Sequence, residues 1–411
     1  MVGCRLNQAE IESMAAQLQE RGFEISNRPE NADYILVNTC CVTEKAGADS
    51  RKMLRRYQAK TNAQVISTGC WSSLFTAEAA QILPGIELVP NEEKDQFAAN
   101  FLKENWQNAA ESPVKPRPNL GSRGRTRAFV KVQDGCDNSC SYCATRLARG
   151  RSRSVPAEQI VAQLKRLEGM DVKEVVFCGV QLGAWGKEAG SMLADLLAQV
   201  LERTEIPRLR LSSIEPWDIN PALIALFRDP RLMPHLHIPL QSASKTVLRA
   251  MQRPGGPEAY ARLWTMLRAS ETEIALSTDI IVGFPGESDA DFEETFDFVK
   301  TAGFSRGHVF QFSPVRGTLA ANLENQVPAN STKERSACMR ELFDSLQQAY
   351  LRKQVGKTMD VLFESRQSGA NSGLSPDFQR VKAQSNTDLE NQILPVLIKK
   401  VSGDGLEGLL A

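Results

Sequence analysis

The sequence is poor in histidine, in aromatic side chains and in long apolar runs. Among its 411 residues there are three histidines, and Phe, Trp and Tyr together make up 7%. So few histidines leave little material for mixed Cys/His zinc sites. No run approaches the roughly 20 apolar residues that a membrane helix needs, and no basic segment followed by an apolar run marks a secretory signal. We therefore expect a cytoplasmic protein without a membrane span.

A net charge is also absent, because 49 Lys and Arg balance 49 Asp and Glu. Neutrality argues against a nucleic-acid partner only where the charge is evenly spread. It is not: residues 115–153 hold ten basic and two acidic residues, whereas 1–114 hold 11 basic and 15 acidic ones. The segment 115–153 is either a solvated linker or a stripe that binds phosphates. A second basic group at 51–60 is at least as simply the solvated face of a helix.

Nine cysteines stand out in a chain whose composition is otherwise ordinary for a folded protein, with 42% hydrophobic residues. In a reducing compartment, clustered cysteines indicate metal or redox chemistry rather than disulfides. Cys136, Cys140 and Cys143 follow a predicted strand closely. Three thiolates can hold three irons of a cubane cluster that normally takes four cysteines, which leaves one iron open. The alternative is a structural zinc site with a remote fourth ligand.

The interpretation of a second set of cysteines depends on the predicted fold. Cys4, Cys40 and Cys70 are each predicted at the carboxyl end of a parallel strand, where doubly wound folds build their sites. From this pattern alone, three unrelated buried cysteines are an equally good interpretation. Of the other three cysteines, Cys41 is predicted to be a neighbour of the second set. Cys178 and Cys338 are predicted to be small core residues.

Short apolar runs that alternate with helical patterns predict a doubly wound parallel sheet in the N-terminal region. The predicted elements are a helix over 7–21 and strands at 34–37, 64–67 and 86–89. Only residues 1–3 remain for a strand that would end at Cys4. Residues 105–127 are rich in Pro and Gly and predict a linker.

A longer alternation begins at residue 128 and predicts an open, partial (β/α)6 barrel. The predicted strands are 129–132, 172–178, 208–213, 235–240, 274–282 and 308–312. The predicted helices are 156–167, 191–203, 257–269 and 289–301, with a long helix at 331–355. The β-like runs 359–364, 380–383 and 394–401 predict a small β-barrel. We therefore expect domains at 1–112, 128–355 and 356–411, with a basic linker at 113–127.

The C-x3-C-x2-C spacing of Cys136, Cys140 and Cys143, with Tyr142 before the last cysteine, resembles the radical S-adenosylmethionine enzymes. The resemblance implies a 4Fe–4S cluster whose open iron binds the amino and carboxylate groups of S-adenosylmethionine. Reductive cleavage of that cofactor then yields a 5′-deoxyadenosyl radical.

Three segments around the second set closely resemble the methylthiotransferase family: GCRLNQAE at 3–10, VNTCCVT at 37–43 and TGC at 68–70. The resemblance implies an auxiliary 4Fe–4S cluster held by Cys4, Cys40 and Cys70. The tail from Gly356 looks like TRAM, a small RNA-binding β-barrel, which favours a tRNA substrate over a protein.

Five further segments resemble this family or its barrel in the same order, and begin at Ala148, Phe177, Arg210, His237 and Asp279. The cofactor-binding residues that the resemblance implies are Tyr142, Gly179, Gln181, Ser213, Glu215, Gln241 and Asp279. The arginines expected to contact RNA are Arg123, Arg125, Arg127, Arg149, Arg151 and Arg153.

Within the family, the sequence looks most like the tRNA threonylcarbamoyladenosine methylthiotransferases. The implied reaction adds a methylthio group to C2 of the modified adenosine next to the anticodon. The implied partners are tRNA and an electron donor such as flavodoxin or ferredoxin. Three alternatives stay open: methylthiolation of isopentenyladenosine in tRNA, methylthiolation of a ribosomal protein aspartate, or a non-catalytic RNA-binding metalloprotein.

Overall fold

The computed structural model describes residues 2–26, 28–105, 126–367 and 369–411. Most of the predicted linker, including Arg123 and Arg125, lies outside these residues. Among the described residues, no helix is long and apolar enough to cross a membrane.

The N-terminal region is a three-stranded parallel sheet, ordered β1-β2-β3, with helices around it. Its elements are α1 (Arg5–Gln19), β1 (Tyr34–Thr39), α2 (Glu44–Lys60), β2 (Gln64–Gly69), α3 (Cys70–Leu74), α4 (Thr76–Ile82), β3 (Glu87–Val89) and α5 (Phe97–Asn105).

The expectation that Cys4 ends a strand is wrong, since no strand precedes α1 in residues 2–26. Gly3 has φ +117°, which interrupts an extended backbone. The chain nevertheless runs beside β1, because the Val2 amide donates to the Asn38 carbonyl at 3.0 Å. Cys4 therefore still lies near the carboxyl end of the sheet.

The central region confirms the open barrel of six parallel strands. Its elements are β4 (Arg127–Lys131), β5 (Gln133–Asp134), α6 (Ala144–Arg149), β6 (Arg153–Ser154), α7 (Ala157–Gly169), β7 (Glu174–Cys178), α8 (Leu193–Arg203), β8 (Arg208–Leu211), α9 (Pro221–Ala225), β9 (His235–His237), α10 (Lys245–Ala250), α11 (Pro257–Arg268), β10 (Ala275–Val282), α12 (Asp289–Thr301), β11 (Arg306–Gln311) and α13 (Ala329–Arg352). Two parallel sheets, β4-β7-β8 and β11-β10-β9, meet at a bridge between Ser213 and His237.

Helix α1 covers part of the inner face of this barrel. Leu6 and Ala9 of α1 pack in one apolar cluster with Phe129 of β4 and with Val176 and Cys178 of β7. The alternate residues of the same strands pack in the main core with the surrounding helices. The loop that carries Cys4 is thereby held inside the barrel mouth.

Two cysteine predictions have different outcomes here. Cys178 is buried in the α1 cluster, as predicted. Cys338 is exposed, so its placement in the core was wrong. It lies on α13, whose buried residues, among them Met339 and Phe343, occupy other positions of the helix.

The C-terminal region is a closed barrel of five strands, ordered β12-β13-β14-β16-β15. The strands are β12 (Thr358–Gln367), β13 (Ala370–Leu374), β14 (Arg380–Gln384), β15 (Ile393–Ser402) and β16 (Gly405–Leu410). The sequence patterns missed β13 and β16, because glycine and asparagine are depleted in strands in general. Pairing on both sides holds these two strands in the barrel regardless.

A loop of this small barrel lies against the central barrel near the start of β8. Arg208 and Arg210 donate to the Ser375 carbonyl at 3.0 and 3.3 Å, and the Phe378 ring stacks on His235 at 5.0 Å. Burial alone would raise the pKa of Glu174, but Arg210 and Arg208 hold it at about 2. This end of the barrel is therefore closed by charge-paired side chains.

Candidate active site at the mouth of the barrel

The second cysteine set converges at the carboxyl ends of β1 and β2. These strands are parallel neighbours with Thr39 opposite Gly69, so Cys40 and Cys70 leave adjacent strand ends. The Asn7 side chain ties α1 to this edge, since its Nδ2 donates to the Thr39 carbonyl at 2.9 Å. Three loops that are distant in sequence are thus held together.

Two glycines allow the three loops to approach this closely. A Cβ on Gly3 would lie 2.8 Å from the Cβ of Cys40. A Cβ on Gly69, which has φ +100°, would overlap the backbone of Thr39 and lie 2.5 Å from Oδ1 of Asn38. Any larger residue at either position would push the cysteine loops apart.

The thiols of this set are close enough to affect one another. Burial, together with the Cys70 and Cys4 thiols, raises the pKa of Cys40 to about 11. A coordinating metal supplies the positive charge that deprotonates such thiols. The donor set therefore fits a metal cluster that takes cysteine ligands.

The first set lies on one folded loop between β5 and α6. The Cys136 amide donates to the Gly150 carbonyl at 3.1 Å, and the Cys143 amide donates to the Cys140 carbonyl at 3.1 Å. Burial, with the Cys143 and Cys140 thiols, raises the pKa of Cys136 to about 11. The three side chains are half-buried, which fits a cluster that keeps one side open to a ligand.

Cys41 shows that the two sets face each other. After burial, the thiols of Cys70, Cys40 and Cys143 raise its pKa far above the ordinary value. Cys70 and Cys40 belong to the second set, and Cys143 belongs to the first. Cys41 and Cys70 also pack in one apolar cluster with Ala144 and Ala148 of α6, the helix that directly follows Cys143. One site at the barrel mouth therefore contains both sets.

Gln133 organises the first loop and was missed by the sequence patterns. Its Nε2 donates to the carbonyls of Asp134 and Gly135 at 2.9 and 2.8 Å, and its Oε1 accepts from the Gln181 amide at 2.9 Å. The side chain is fully buried. A polar residue directly after an apolar strand was the available signal.

Arg253 is a second residue that the patterns did not assign to the site. Its guanidinium donates to both Glu215 oxygens, at 3.2 and 2.5 Å, and lies over the Trp217 ring at 5.1 Å. Burial raises the pKa of Cys140, and Arg253 opposes this shift. Arg253 therefore connects the first cysteine set to Glu215.

Comparison with known proteins agrees with this geometry. A model of the radical SAM superfamily matches residues 130–299, and a model of the uncharacterized protein family UPF0004 matches residues 1–90. A threonylcarbamoyladenosine tRNA methylthiotransferase of Thermotoga maritima is 39% identical, over 88% of this chain and 85% of that protein. The chain belongs to the methylthiotransferase family of radical S-adenosylmethionine enzymes.

Two further curated relatives differ from each other in name. A Chlamydia pneumoniae protein with the same name as the Thermotoga one is 34% identical, over 99% of this chain and 96% of that protein. A tRNA-2-methylthio-N(6)-dimethylallyladenosine synthase of Maricaulis maris is 32% identical, over 99% of this chain and 95% of that protein.

The solved structures show likeness of fold. The radical S-adenosylmethionine methyltransferase TsrM of Kitasatospora setae matches with a TM-score of 0.56 at 13% identity, over 88% of this chain and 77% of that chain. Membership of the family means that the methylthiotransferase uses S-adenosylmethionine and two 4Fe–4S clusters.

Three of the predicted cofactor residues of this methylthiotransferase are tied to the first loop: Tyr142 belongs to it, Gln181 contacts Cys136, and Gly179 lies against Gln133. Gln181 Oε1 accepts from the Cys136 thiol at 3.2 Å. Gln241 has φ +68°, and its buried Oε1 has no hydrogen-bond partner among the described residues. A Cβ on Gly179 would lie 2.9 Å from Oε1 of Gln133. Tyr142 packs edge-on against Phe284 at 6.4 Å in an apolar cluster.

Asp279 is held between two imidazoles on the barrel strands. Its Oδ2 lies 3.0 Å from Nε2 of His237, and its Oδ1 lies 3.0 Å from Nδ1 of His308. Burial would raise the pKa of Asp279, but hydrogen bonds from these two rings hold it far below the ordinary value. Asp279 is therefore an anion. Ser213 lies beside His237, because the backbones of these two residues pair.

The arginines expected to contact RNA separate into different environments. Arg151 and Arg153 are exposed. Arg127 is half-buried and pairs with Glu364 of β12 at 2.6 Å. Arg149 is 2% exposed, so the structure contradicts an RNA contact for its side chain. The buried guanidinium of Arg149 is paired with the carboxylates of Glu10 and Asp134.

Proposed function

We propose that this methylthiotransferase adds a methylthio group to C2 of N6-threonylcarbamoyladenosine next to the anticodon of tRNA. The observation that carries the proposal is the convergence of two cysteine sets on one barrel mouth. The names of the relatives at 39% and 34% identity support this modified adenosine. The 32% identical relative, named for dimethylallyladenosine, makes that nucleoside the second candidate.

The proposal assigns Cys136, Cys140 and Cys143 to the cluster that binds S-adenosylmethionine, and Cys4, Cys40 and Cys70 to the auxiliary cluster. When bound, these groups supply electron transfer, radical generation and the sulfur that is transferred. The protein supplies binding, orientation and exclusion of competing reactions.

The chain's own residues orient the cofactor around the first loop. Gln181 contacts the loop at Cys136, and Arg253, which is paired with Glu215, interacts with the loop at Cys140. The free acceptor on Gln241 is available to a donor of the cofactor. We extend the same assignment to the remaining predicted positions, which are Tyr142, Gly179, Ser213, Glu215 and Asp279.

Phosphate contacts of the tRNA are proposed for the exposed arginines beside the mouth, Arg151 and Arg153. Lysines on the outside of the closed barrel are proposed as a second group of phosphate contacts, because Lys382, Lys399 and Lys400 are exposed on β14 and β15. Closed five-stranded barrels bind many ligands, so we propose RNA binding from its place in this chain. An electron donor of the flavodoxin or ferredoxin class and a cytoplasmic location complete the proposal, with domains at 1–112, 128–355 and 356–411.

Nucleoside mass spectrometry of tRNA tests the substrate. A strain that lacks this protein should lose 2-methylthio-threonylcarbamoyladenosine, and the wild-type gene should restore it. The variant Cys136→Ala should fail to restore it, whereas Cys338→Ser, a change of an exposed cysteine on α13, should restore it fully. If the methylthio derivative of dimethylallyladenosine disappears instead, the substrate proposal is wrong.

A further inference from the structure

Arg149 occupies an unusual position for a residue of an arginine-rich segment. Its side chain is 1% exposed and lies at the end of α6, the helix that follows Cys143. Its Nε donates to Sγ of Cys70 at 3.3 Å. The guanidinium thus reaches from the loop of the first cysteine set to a cysteine of the second set.

The rest of the guanidinium is fixed by carboxylates. Nη1 donates to Glu10 at 2.7 Å and to Asp134 at 2.9 Å, and Nη2 donates to Oδ1 of Asn7 at 2.7 Å. The fully buried Lys94 also pairs with Glu10, at 2.7 Å. A buried charge is tolerated only when it is paired and hydrogen-bonded. These contacts leave the guanidinium one orientation, in which Nε faces the sulfur.

A hydrogen bond to a cysteine ligand changes the electronic state of an iron–sulfur cluster. Reduction adds negative charge to the cluster, and donors to its sulfur atoms and nearby positive charge stabilise that charge. A buried guanidinium acts strongly here, because the local dielectric constant is low. An N–H donor on Cys70 therefore makes an attached cluster easier to reduce.

We propose that Arg149 is a positioning residue that orients Cys70 and raises the reduction potential of the auxiliary cluster. The proposal rests on the assignment of Cys70 as a ligand of that cluster. It replaces the RNA contact expected for Arg149. The same side chain ties the auxiliary site to Asp134, which directly precedes Gly135 and Cys136 of the other loop.

Two variants remove the Nε donor without changing the net charge of the chain. Arg149→Lys keeps the positive charge, but one ammonium cannot reproduce the planar fork, and it should pair with the carboxylates. Arg149→Gln combined with Glu10→Gln removes one cation and one anion together, and the amide oxygen at position 10 remains a hydrogen-bond acceptor for the buried Lys94. Arg153→Lys is the matched control, since Arg153 contacts Asp134 at 3.3 Å but its side chain is 46% exposed.

The readout is the midpoint potential of each cluster, measured by redox titration with electron paramagnetic resonance on anaerobically purified full-length protein. The signal of the auxiliary cluster is identified in a chain that carries Cys136→Ala, Cys140→Ala and Cys143→Ala. In both Arg149 variants we expect the potential of the auxiliary cluster to become more negative. The expected tenfold loss in the equilibrium constant of a one-electron couple corresponds to about 59 mV. The other cluster and the Arg153→Lys control should keep their potentials.

Cys70→Ala, which leaves no ligand atom at this position, separates the two levels of the proposal. If this variant loses half of the iron while the Arg149 variants leave the auxiliary potential unchanged, Cys70 is a ligand and the role of Arg149 is refuted. If Cys70→Ala keeps all of its iron, the ligand assignment fails, and the inference about Arg149 fails with it. A variant that does not fold is recognised by loss of both clusters, and the other Arg149 variant then decides.

Discussion

The two cysteine sets reach the same site by different routes. The first set lies within the eight residues 136–143 of a single loop, whereas the second is drawn from three loops spread over residues 4–70. The first depends on backbone hydrogen bonds of short sequence separation, from Cys143 to Cys140 and from Cys136 to Gly150, and on the side chain of Gln133. The second depends on the parallel pairing of β1 with β2 and on the contact of α1 with the inner face of the barrel. The comparison teaches that a contiguous motif carries its own geometry, while an assembled one takes its geometry from the fold.

The largest expected effect comes from removing each set separately. With Cys136, Cys140 and Cys143 all changed to Ala, cleavage of S-adenosylmethionine to 5′-deoxyadenosine should stop, because no ligand set remains for the cluster that binds it. With Cys4, Cys40 and Cys70 changed to Ala, the cleavage should continue while methylthiolation of tRNA stops. Each variant should lose half of the iron. Loss of all the iron in either one would contradict two independent ligand sets.

Gly69 and Gly135 allow the two cysteine sets to be disturbed one at a time, because each glycine lies beside only one set. Gly69→Ala places a Cβ against the Thr39 backbone at φ +100°, and Gly135→Ala places one against Arg151 at φ +69°. Strained backbone costs about 1–3 kcal/mol, so we expect selective loss of auxiliary iron in the first variant and of the other cluster's iron in the second. Iron analysis and the electron paramagnetic resonance signals of the two clusters measure this loss.

The matched control for both glycine variants is Gly85→Ala. Gly85 also has positive φ, +80°, but no described atom lies within 4 Å of its Cβ position. It should lose some stability and keep all of its iron. Equal iron loss in the control would mean that general destabilisation, rather than the approach of the cysteine loops, causes the effect.

Arg253→Lys tests the first set through its neighbour. The variant keeps the charge but loses the two-pronged bond to Glu215. Charge-assisted hydrogen bonds contribute about 1.5–3 kcal/mol, so we expect the KM for S-adenosylmethionine to rise about tenfold or more. Arg249→Lys, an exposed change on α10, is the control. An unchanged KM would exclude Arg253 from orientation of the cofactor.

The smallest effect at neutral pH is expected at the closed end of the barrel, away from both sets. The pKa of Glu174 falls from 4.5 to about 2 in the folded protein. A lowered pKa stabilises the fold above pH 4.5, and this stabilisation is lost as the pH falls from 4.5 towards 2. The free energy of unfolding should decrease over this range by up to about 3 kcal/mol.

The control for the closed end is Glu293→Gln, which changes an exposed residue of α12. This variant should show the same acid dependence as the wild type. Glu174→Gln should be less stable at pH 7, because Arg208 and Arg210 lose their charged partner. Its acid dependence should be smaller than that of the wild type by the contribution of Glu174, whereas Glu10 and Asp279 keep their contributions. A wild-type acid profile in Glu174→Gln would contradict this account.

The sequence predicted the architecture well where periodicity was strong. Helix α12 was predicted with the bounds that it has, since Ser288 and Asp291 form a capping box at its start. Strands β13 and β16 were missed because their residues favour turns and only barrel closure holds them. The strand expected before Cys4 was wrong because Gly3 turns the backbone.

The residues of the site also differ in how far the sequence alone could predict their roles. The cysteines could be proposed as ligands from spacing and family resemblance, because ligand chemistry restricts the residue type. Gln133 and Arg253 could not, since a buried polar residue becomes visible only when its partners are in place. Arg149 was misassigned for this reason: its charge is apparent in the sequence, but its partners Glu10 and Asp134 come together only in the folded chain.

The central claim is that both cysteine sets face one site, and the magnetic interaction between the two reduced clusters tests it most directly. The electron paramagnetic resonance spectrum of the fully reduced enzyme is compared with the sum of the spectra of the two triple-alanine variants. Because Cys41 and Cys70 pack in one cluster with Ala144, which directly follows Cys143, the account predicts a spectrum that is broadened and split relative to that sum. A spectrum equal to the sum would place the clusters too far apart to share a site and would contradict the account.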